Sequence, residues 1–273
     1  MRKLNYKLIV SDFDGTLLND NNQVPESVKC AINEYVSAGG IFAVCTGRML
    51  RSILPRVRGL GLKGLVAAYQ GTVIADIESG KIIRSGGISC EDAAEVCKYL
   101  ESINANINVY SDEVLYTNID KEDKHLKLYE EITGVDAISV NGITDVVLKN
   151  GNDCQKIACL VAPEDRAELF EKIKLRFGNK FDVTCSAKVL VEISPYGSTK
   201  GEALKYLADH YGVDISRSIA VGDNLNDMSM VEAAGLGVAV GNAVEELKEA
   251  ADFVAVTNND GAVAQIIEKF GFV

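Results

Sequence analysis

Histidine is scarce. The chain has two, His125 and His210, and neither has a cysteine or second histidine close to it in sequence. That supply argues against a zinc site, which draws on clustered nitrogen and sulfur ligands. No Cys-x-x-Cys pair occurs among the seven cysteines, Cys30, Cys45, Cys90, Cys97, Cys154, Cys159 and Cys185. Their number is odd, and cysteine is a common buried apolar residue, so reduced thiols in the core are expected rather than a disulfide framework. Positive charge is also in deficit: 28 Lys and Arg face 39 Asp and Glu, a formal net charge of −11. Nucleic acid and anionic membranes need a cationic surface, so neither is an expected partner. An anionic small molecule is not excluded, because one lysine or one metal ion can reverse the sign locally. Long apolar runs are missing as well. The first, Leu8 to Val10, is broken by Ser11-Asp12 and is too short for a signal-peptide core or a membrane span. A cytoplasmic protein is expected.

The sequence does hold enough apolar material to fold. It has 273 residues, 47% of them hydrophobic and 25% charged, which is an ordinary globular composition and nearer two domains than one. Leu8 to Val10, Ile41 to Cys45 and Leu65 to Tyr69 read as buried strands. Between them, Pro25 to Ala38 and about Met49 to Leu60 have helical spacing. The order β-α-β-α-β predicts an α/β fold with a doubly wound, parallel, Rossmann-like sheet. The same pattern returns near the C-terminus, with a helix over Gly201 to Tyr211 and strands at Ser218 to Val221, Leu236 to Val240 and Phe253 to Val256. The middle is looser, with hairpin-like and paired strands, and predicts an inserted α+β module. The expected organisation is core 1–84, inserted cap 85–187, core 188–273.

Chemistry concentrates where predicted strands end. Asp12-Phe13-Asp14-Gly15-Thr16 follows the first, and ligands of open α/β sheets collect outside the carboxyl ends of their strands. Two carboxylates two residues apart can supply a nucleophile and a general acid/base. An Asx-turn or helix cap would use Asp before Gly equally well, and the motif alone leaves both open. A calcium loop needs glycine sixth and glutamate twelfth; counted from Asp12, Gly15 is fourth and Gln23 twelfth. Gly222-Asp223-Asn224-Leu225-Asn226-Asp227 ends another strand and offers oxygen ligands of the kind Mg²⁺ takes. Asp12, Asp14, Asp223 and Asp227 in one cleft would repel one another unless a cation and a lysine intervened. Lys200, at a helix start, is the candidate lysine. Thr46-Gly47-Arg48 offers a hydroxyl and backbone N–H groups to a phosphate oxygen, or a plain helix cap. Gly59-Leu60-Gly61-Leu62-Lys63-Gly64 spells a dinucleotide fingerprint, but it follows a helix and precedes a strand, the reverse of what that motif requires.

Taken in order, Asp12-Phe13-Asp14-Gly15-Thr16, Thr46-Gly47-Arg48, Lys200-Gly201 and Gly222 to Asp227 resemble the haloacid dehalogenase superfamily, and within it the Cof-like sugar phosphatase branch with a C2-type cap. The resemblance spans essentially the whole chain. It implies a Mg²⁺-dependent phosphomonoester hydrolase for a sugar phosphate or similar small metabolite. Asp12 would be the nucleophile that forms an aspartyl-phosphate, and Asp14 the acid/base. Asp12 and Asp223 would bind Mg²⁺ through side chains and Asp14 through its backbone carbonyl. Phe13 (by its backbone), Thr46, Gly47, Lys200 and Asn226 would hold the phosphoryl group, with Asp227 and Asn224 in support. A phosphomutase would share the aspartyl-phosphate. A phosphate-accepting sensor would lack the second aspartate that Asp14 provides. Two further segments are less specific. The hairpin at Ser111-Asp112-Glu113, with Tyr110 and Tyr116, could face a sugar but reads first as an ordinary exposed hairpin, and Tyr69-Gln70-Gly71 ends the third strand beside the expected cleft.

Overall fold

A computed structural model describes residues 2–273. In chain order, β1 (Leu8–Ser11), α1 (Glu26–Ser37), β2 (Ile41–Cys45), α2 (Leu50–Gly59), β3 (Leu65–Ala68), β4 (Val73–Asp76) and β5 (Ile82–Ser85) come first. Next are α3 (Cys90–Ser102), β6 (Asn106–Ser111), β7 (Val114–Thr117), α4 (Lys124–Thr133), β8 (Ala137–Ser139), α5 (Ile143–Asn150), β9 (Cys154–Leu160), α6 (Arg166–Phe177), β10 (Phe181–Ala187) and β11 (Leu190–Pro195). The chain finishes with α7 (Lys200–His210), β12 (Ser218–Gly222), α8 (Met228–Ala233), β13 (Leu236–Ala239), α9 (Glu245–Ala250), β14 (Phe253–Val254) and α10 (Ala262–Ile266).

These elements form two units. The first holds residues up to Gly47, Leu54–Ile83 and Thr199–Val273. Its sheet has the order β14-β13-β12-β1-β2-β3-β4-β5. The pairs from β14 to β3 are parallel, and β4 turns back antiparallel on β3. β1 and β2 are apolar and almost wholly buried because helices cover both faces of a doubly wound sheet. From β1 the chain winds outward through β2 and β3, and from β12 it winds the opposite way. The strand order therefore reverses between β1 and β12, the place where such sheets open a crevice. Ser11 pairs with Val221 across those two strands, so the residues after them, Asp12 and Gly222-Asp223, emerge side by side. The glycine-rich run from Gly59 to Gly64 closes α2 and leads into β3, with Gly61 and Gly64 at φ +71° and +81°; it is a helix stop.

The second unit holds Arg48–Ile53 and Arg84–Ser198. Its sheet has the order β10-β11-β9-β6-β7-β8, antiparallel except for β7 with β8. Strand alternation gives it two unlike faces. Ile107, Val109, Ile157, Cys159, Val191 and Ile193 pack with residues of α3, α5 and α6 into one apolar core. Asn108, Tyr110, Lys156 and Glu192 occupy the alternate positions and are buried too. Ser89 caps α3, its side chain accepting from the Asp92 N–H. The boundary expected between 187 and 188 falls instead after Ser198. β11 is a full member of this sheet, hydrogen-bonded to both β9 and β10, and cannot belong to the first unit. The short segment Arg48–Ile53, expected in the core, groups with this unit as well: the Arg51 N–H donates to a Glu113 carboxylate oxygen at 2.6 Å, and Ser52 donates to the Thr133 carbonyl.

Two expectations about side chains change. Five cysteines are buried free thiols as expected, but Cys30 is exposed and Cys185 half-buried, so these two are not core residues. The β6–β7 hairpin forms where expected, with both Asp112 and Glu113 at positive φ, the two-residue turn that matches strand twist. Of its tyrosines, Tyr110 is withdrawn from solvent and Tyr116 is half-buried. Tyr110 is buried, with its hydroxyl bonded to that of Tyr129, and Tyr116 packs against the apolar core.

Candidate active site

The centre of the site is a lysine. Lys200 opens α7, whose N-cap Thr199 accepts from the Glu202 N–H. Only 1% of its surface is exposed. Its Nζ lies 2.6 Å from Asp12 Oδ1 and 2.5 Å from Asp227 Oδ1. Asp227 is completely buried. Its other oxygen accepts from the N–H groups of Asp223 and Asn224, at 2.9 and 3.0 Å. Asp227 thus has both oxygens committed and positions Lys200 while closing the turn after β12. Asn224 completes that turn: its side chain and that of Asp227 cap it reciprocally.

Asp12 and Asp223 face the crevice from neighbouring strand ends. Asp223 accepts at 2.8 Å from the Thr16 hydroxyl. Gly15, at φ +78°, lets the first loop close over it; a Cβ there would come within 2.7 Å of an Asp223 carboxylate oxygen, so no other residue fits without displacing it. Gly222 is equally constrained, since a Cβ would meet the Asp227 side chain at 2.3 Å. Phe13 is buried and Asp14 half-buried in the turn that follows Asp12. Asn242 donates to the Gly15 carbonyl at 2.8 Å and accepts from the Asn258 N–H, bracing this loop from the end of β13. Its position just past a strand end is the sequence signal that could have found it.

Electrostatics follow from this crowding. Burial pushes the Asp12 carboxyl well above the usual range; Lys200 opposes the shift, while Asp227, Asp223 and Asp14 add to it. Burial, and then Asp227, raise Asp223 to about 6, against a hydrogen bond from Thr16 and the charge of Lys200. Burial disfavours charge on Lys200, but Asp12 and Asp227 outweigh it and hold the ammonium protonated. Asp12, Asp223 and Asp227 carry oxygens all within 4.8 Å of one another, a set that could hold a metal ion. With Asp227 engaged by Lys200 and two backbone N–H groups, Asp12 and Asp223 are the better ligands. Buried carboxylates in excess of the one ammonium, all hard oxygen donors, fit a divalent cation. Cys45 lies at the end of β2, but burial raises its thiol to about 12, so it carries no thiolate for nucleophilic chemistry.

The remaining expected residues surround this centre. Thr46 is buried and continues from β2 with its N–H on the Ala67 carbonyl. Asn226 donates its side-chain amide to Gln70 Oε1 at 3.1 Å. Gln70 in turn crowds Gly47, where a Cβ would meet its Nε2 at 2.7 Å. Gln70 and Tyr69 adopt left-handed backbone, φ 60° and 50°, a conformation that costs a side-chain-bearing residue on the order of 1 kcal/mol. Gln70 is the residue that motif spacing did not place in the site.

A family model described as haloacid dehalogenase-like hydrolase matches residues 9–267. The chain belongs to this family. Among curated relatives, the phosphatase YwpJ of Bacillus subtilis (strain 168) is 32% identical, over 96% of this chain and 99% of that protein. The 5-amino-6-(5-phospho-D-ribitylamino)uracil phosphatase YwtE of the same strain is 31% identical, over 96% and 97%. A solved haloacid dehalogenase-like hydrolase from B. subtilis superposes with a TM-score of 0.86 at 29% identity, covering 96% of this chain and 99% of that one. The chain is a phosphatase of the haloacid dehalogenase family, Cof-like, as its ordered motifs led one to expect. Among the described residues no helix is long and apolar enough to cross a membrane.

Proposed function

We propose that this haloacid dehalogenase-type phosphatase is a Mg²⁺-dependent phosphomonoester hydrolase for small phosphorylated metabolites, sugar phosphates or compounds like them, acting through an aspartyl-phosphate at Asp12. The observation that carries it is the placement of Lys200 Nζ between Asp12 and Asp227, with Asp223 beside them. Asp12 and Asp223 would hold Mg²⁺ through their carboxylates, and Asp14 through its backbone carbonyl. Bound there, the ion offsets repulsion between a carboxylate and a phosphate.

The chain's own groups account for the rest. An Asp12 oxygen attacks phosphorus in line as the phosphorus–ester oxygen bond breaks, and Asp14, protonated, gives its proton to the leaving alcohol. Asp14, now a carboxylate, takes a proton from water, whose oxygen attacks phosphorus and releases Asp12 and inorganic phosphate. Thr46, Gly47, the Phe13 backbone, Asn226 and Lys200 would cradle the transferring oxygens. Lys200 is suited to this because its charge is already fixed in place and needs no reorganisation. Names of relatives support a metabolite-sized substrate: besides YwtE, the HMP-PP phosphatase of Serratia proteamaculans is 26% identical over 89% of the chain.

A panel of sugar phosphates, nucleotides and cofactor phosphates, assayed for inorganic phosphate with Mg²⁺ and with EDTA, tests this. Phosphate release should appear with Mg²⁺ and vanish with EDTA. Isomerised product without free phosphate would mean a mutase instead.

A further inference from the structure

The turn Tyr69-Gln70-Gly71 adopts left-handed backbone beside the site and has no part in the chemistry above. Three successive residues have positive φ: 50°, 60° and 101°. Left-handed backbone at side-chain-bearing residues persists where the surroundings hold it, and it concentrates at functional sites. Here the surroundings are the segments that would face phosphate. The Gln70 N–H donates to the Thr46 carbonyl at 2.9 Å. Its side-chain amide lies against Gly47 and accepts from Asn226 through Oε1. Gly71 presses on the start of α7, where a Cβ would come 2.7 Å from Ala203 Cβ and 3.1 Å from the Thr199 carbonyl. One buried turn therefore ties together the ends of β2, β12 and α7.

We propose that Gln70 is a positioning residue for the phosphoryl cradle. By accepting the Asn226 amide, it fixes which way that carboxamide is turned. Asn226 Nδ2 gives one of its two N–H groups to Gln70, which aims the second N–H, the donor a phosphoryl oxygen needs, toward the cradle. By packing on Gly47, Gln70 holds the Thr46-Gly47 backbone in register with it. This rests on the assignment of Thr46, Gly47 and Asn226 as phosphate contacts.

A turn-forming role and a positioning role separate cleanly at this position. Glycine adopts φ 60° without strain, so Gln70→Gly keeps the backbone and removes only the amide. Full-length wild type, Gln70→Gly, Gln70→Asn, Asn226→Ala and the Gln70→Gly/Asn226→Ala double variant are compared with p-nitrophenyl phosphate and Mg²⁺, with inorganic phosphate as inhibitor. Gln70→Gly should melt at or above the wild-type temperature. It should raise KM and the phosphate inhibition constant about tenfold, with a smaller fall in kcat, a modest loss beside the 10²–10³ typical of removing a direct oxyanion donor. Gln70→Asn, which keeps the carboxamide and favours left-handed backbone, should recover part of the loss. In the Asn226→Ala background, Gln70→Gly should add little, because the two act as one unit. Wild-type KM and phosphate inhibition in Gln70→Gly would overturn the proposal, as would full additivity in the double variant. Failure of the phosphatase assignment itself would show differently, as a wild-type protein that releases no phosphate and is not inhibited by it.

Discussion

Among the described residues two lysines are buried, one in each unit, and they differ in what surrounds them. Lys156 lies mid-strand in the second unit, with its Nζ 2.5 Å from Glu192 Oε1 and 4.6 Å from the centre of the Tyr110 ring. Lys200 lies at a helix start beside strand ends in the first, against Asp12 and Asp227, with an Asp223 oxygen within 4.8 Å of an oxygen of each. Lys156 forms an ion pair with one buried carboxylate, that of Glu192. Around Lys200 the negative charge is in excess. The Lys156–Glu192 pair joins two strands of one sheet; on the proposed function, the excess of carboxylates at Lys200 takes up a cation together with an anionic substrate. Both lysines are held protonated. For Lys156, burial opposes the charge and Glu192, then Tyr129, outweigh it.

The largest effect that should separate the two clusters is catalytic. Asp12→Asn should lower kcat/KM toward p-nitrophenyl phosphate by at least about 10³-fold, since it removes the proposed attacking group, while Lys156→Met should leave the rate per folded molecule within a few-fold. If Lys156→Met were as inactive as Asp12→Asn, the contrast would break.

Stability should show the reverse pattern. Lys156→Met removes the ammonium that pairs with buried Glu192 and should cost about 3–5 kcal/mol, read as a lower urea midpoint. Adding Glu192→Leu should restore most of it, because two apolar residues replace the ion pair. Folded Lys156 titrates above the ordinary value of 10.5. Its raised pKa means the stabilisation is complete below pH 10.5 and is lost only as pH rises through the folded value.

The third test is smaller and concerns the unbalanced cluster. With Mg²⁺ chelated, Asp223 titrates near 6 in place of its ordinary 3.8. The folded state then binds more protons than the unfolded between those values, so stability falls as pH rises from about 4 to 6 and stays low above that. Mg²⁺ at about 100 times its dissociation constant should restore about 2.7 kcal/mol at pH 7.5, seen as several degrees of melting temperature, and distinctly less at pH 5. An equal Mg²⁺ shift at both pH values would show that buried carboxylates do not carry the effect.

What the sequence made legible was local. Strands such as Leu8–Ser11 and Ile41–Cys45 are short apolar runs with polar residues at their carboxyl ends, and the residues that follow them, Asp12 and Thr46, stand where a doubly wound sheet opens. Asp227, expected to position Lys200 or metal-bound water, has Oδ1 2.5 Å from Lys200 Nζ. What stayed hidden was pairing between distant segments. The expected boundary at 187/188 cuts between two strands that themselves read as paired, and the ladders of β11 with β10 and β9 place the break later. Lys156 and Glu192 lie 36 residues apart and look like ordinary surface charges until the strands align. Gln70 carries no motif signal because its role comes from a left-handed backbone and two partners brought in from other loops.

On the proposed function, the carboxylate beside Lys200 becomes covalently phosphorylated. A rapid acid quench of the Mg²⁺-loaded enzyme during turnover of a phosphate monoester, followed by mass spectrometry of the peptide holding Asp12, reads this directly. The phosphoryl group should be found on Asp12 in wild type, accumulate when Asp14→Asn slows hydrolysis of the intermediate, and be absent in Asp12→Asn. Sustained phosphate release by the Asp12→Asn variant, or turnover by wild type with no phosphorylated Asp12 at any quench time, would contradict the account.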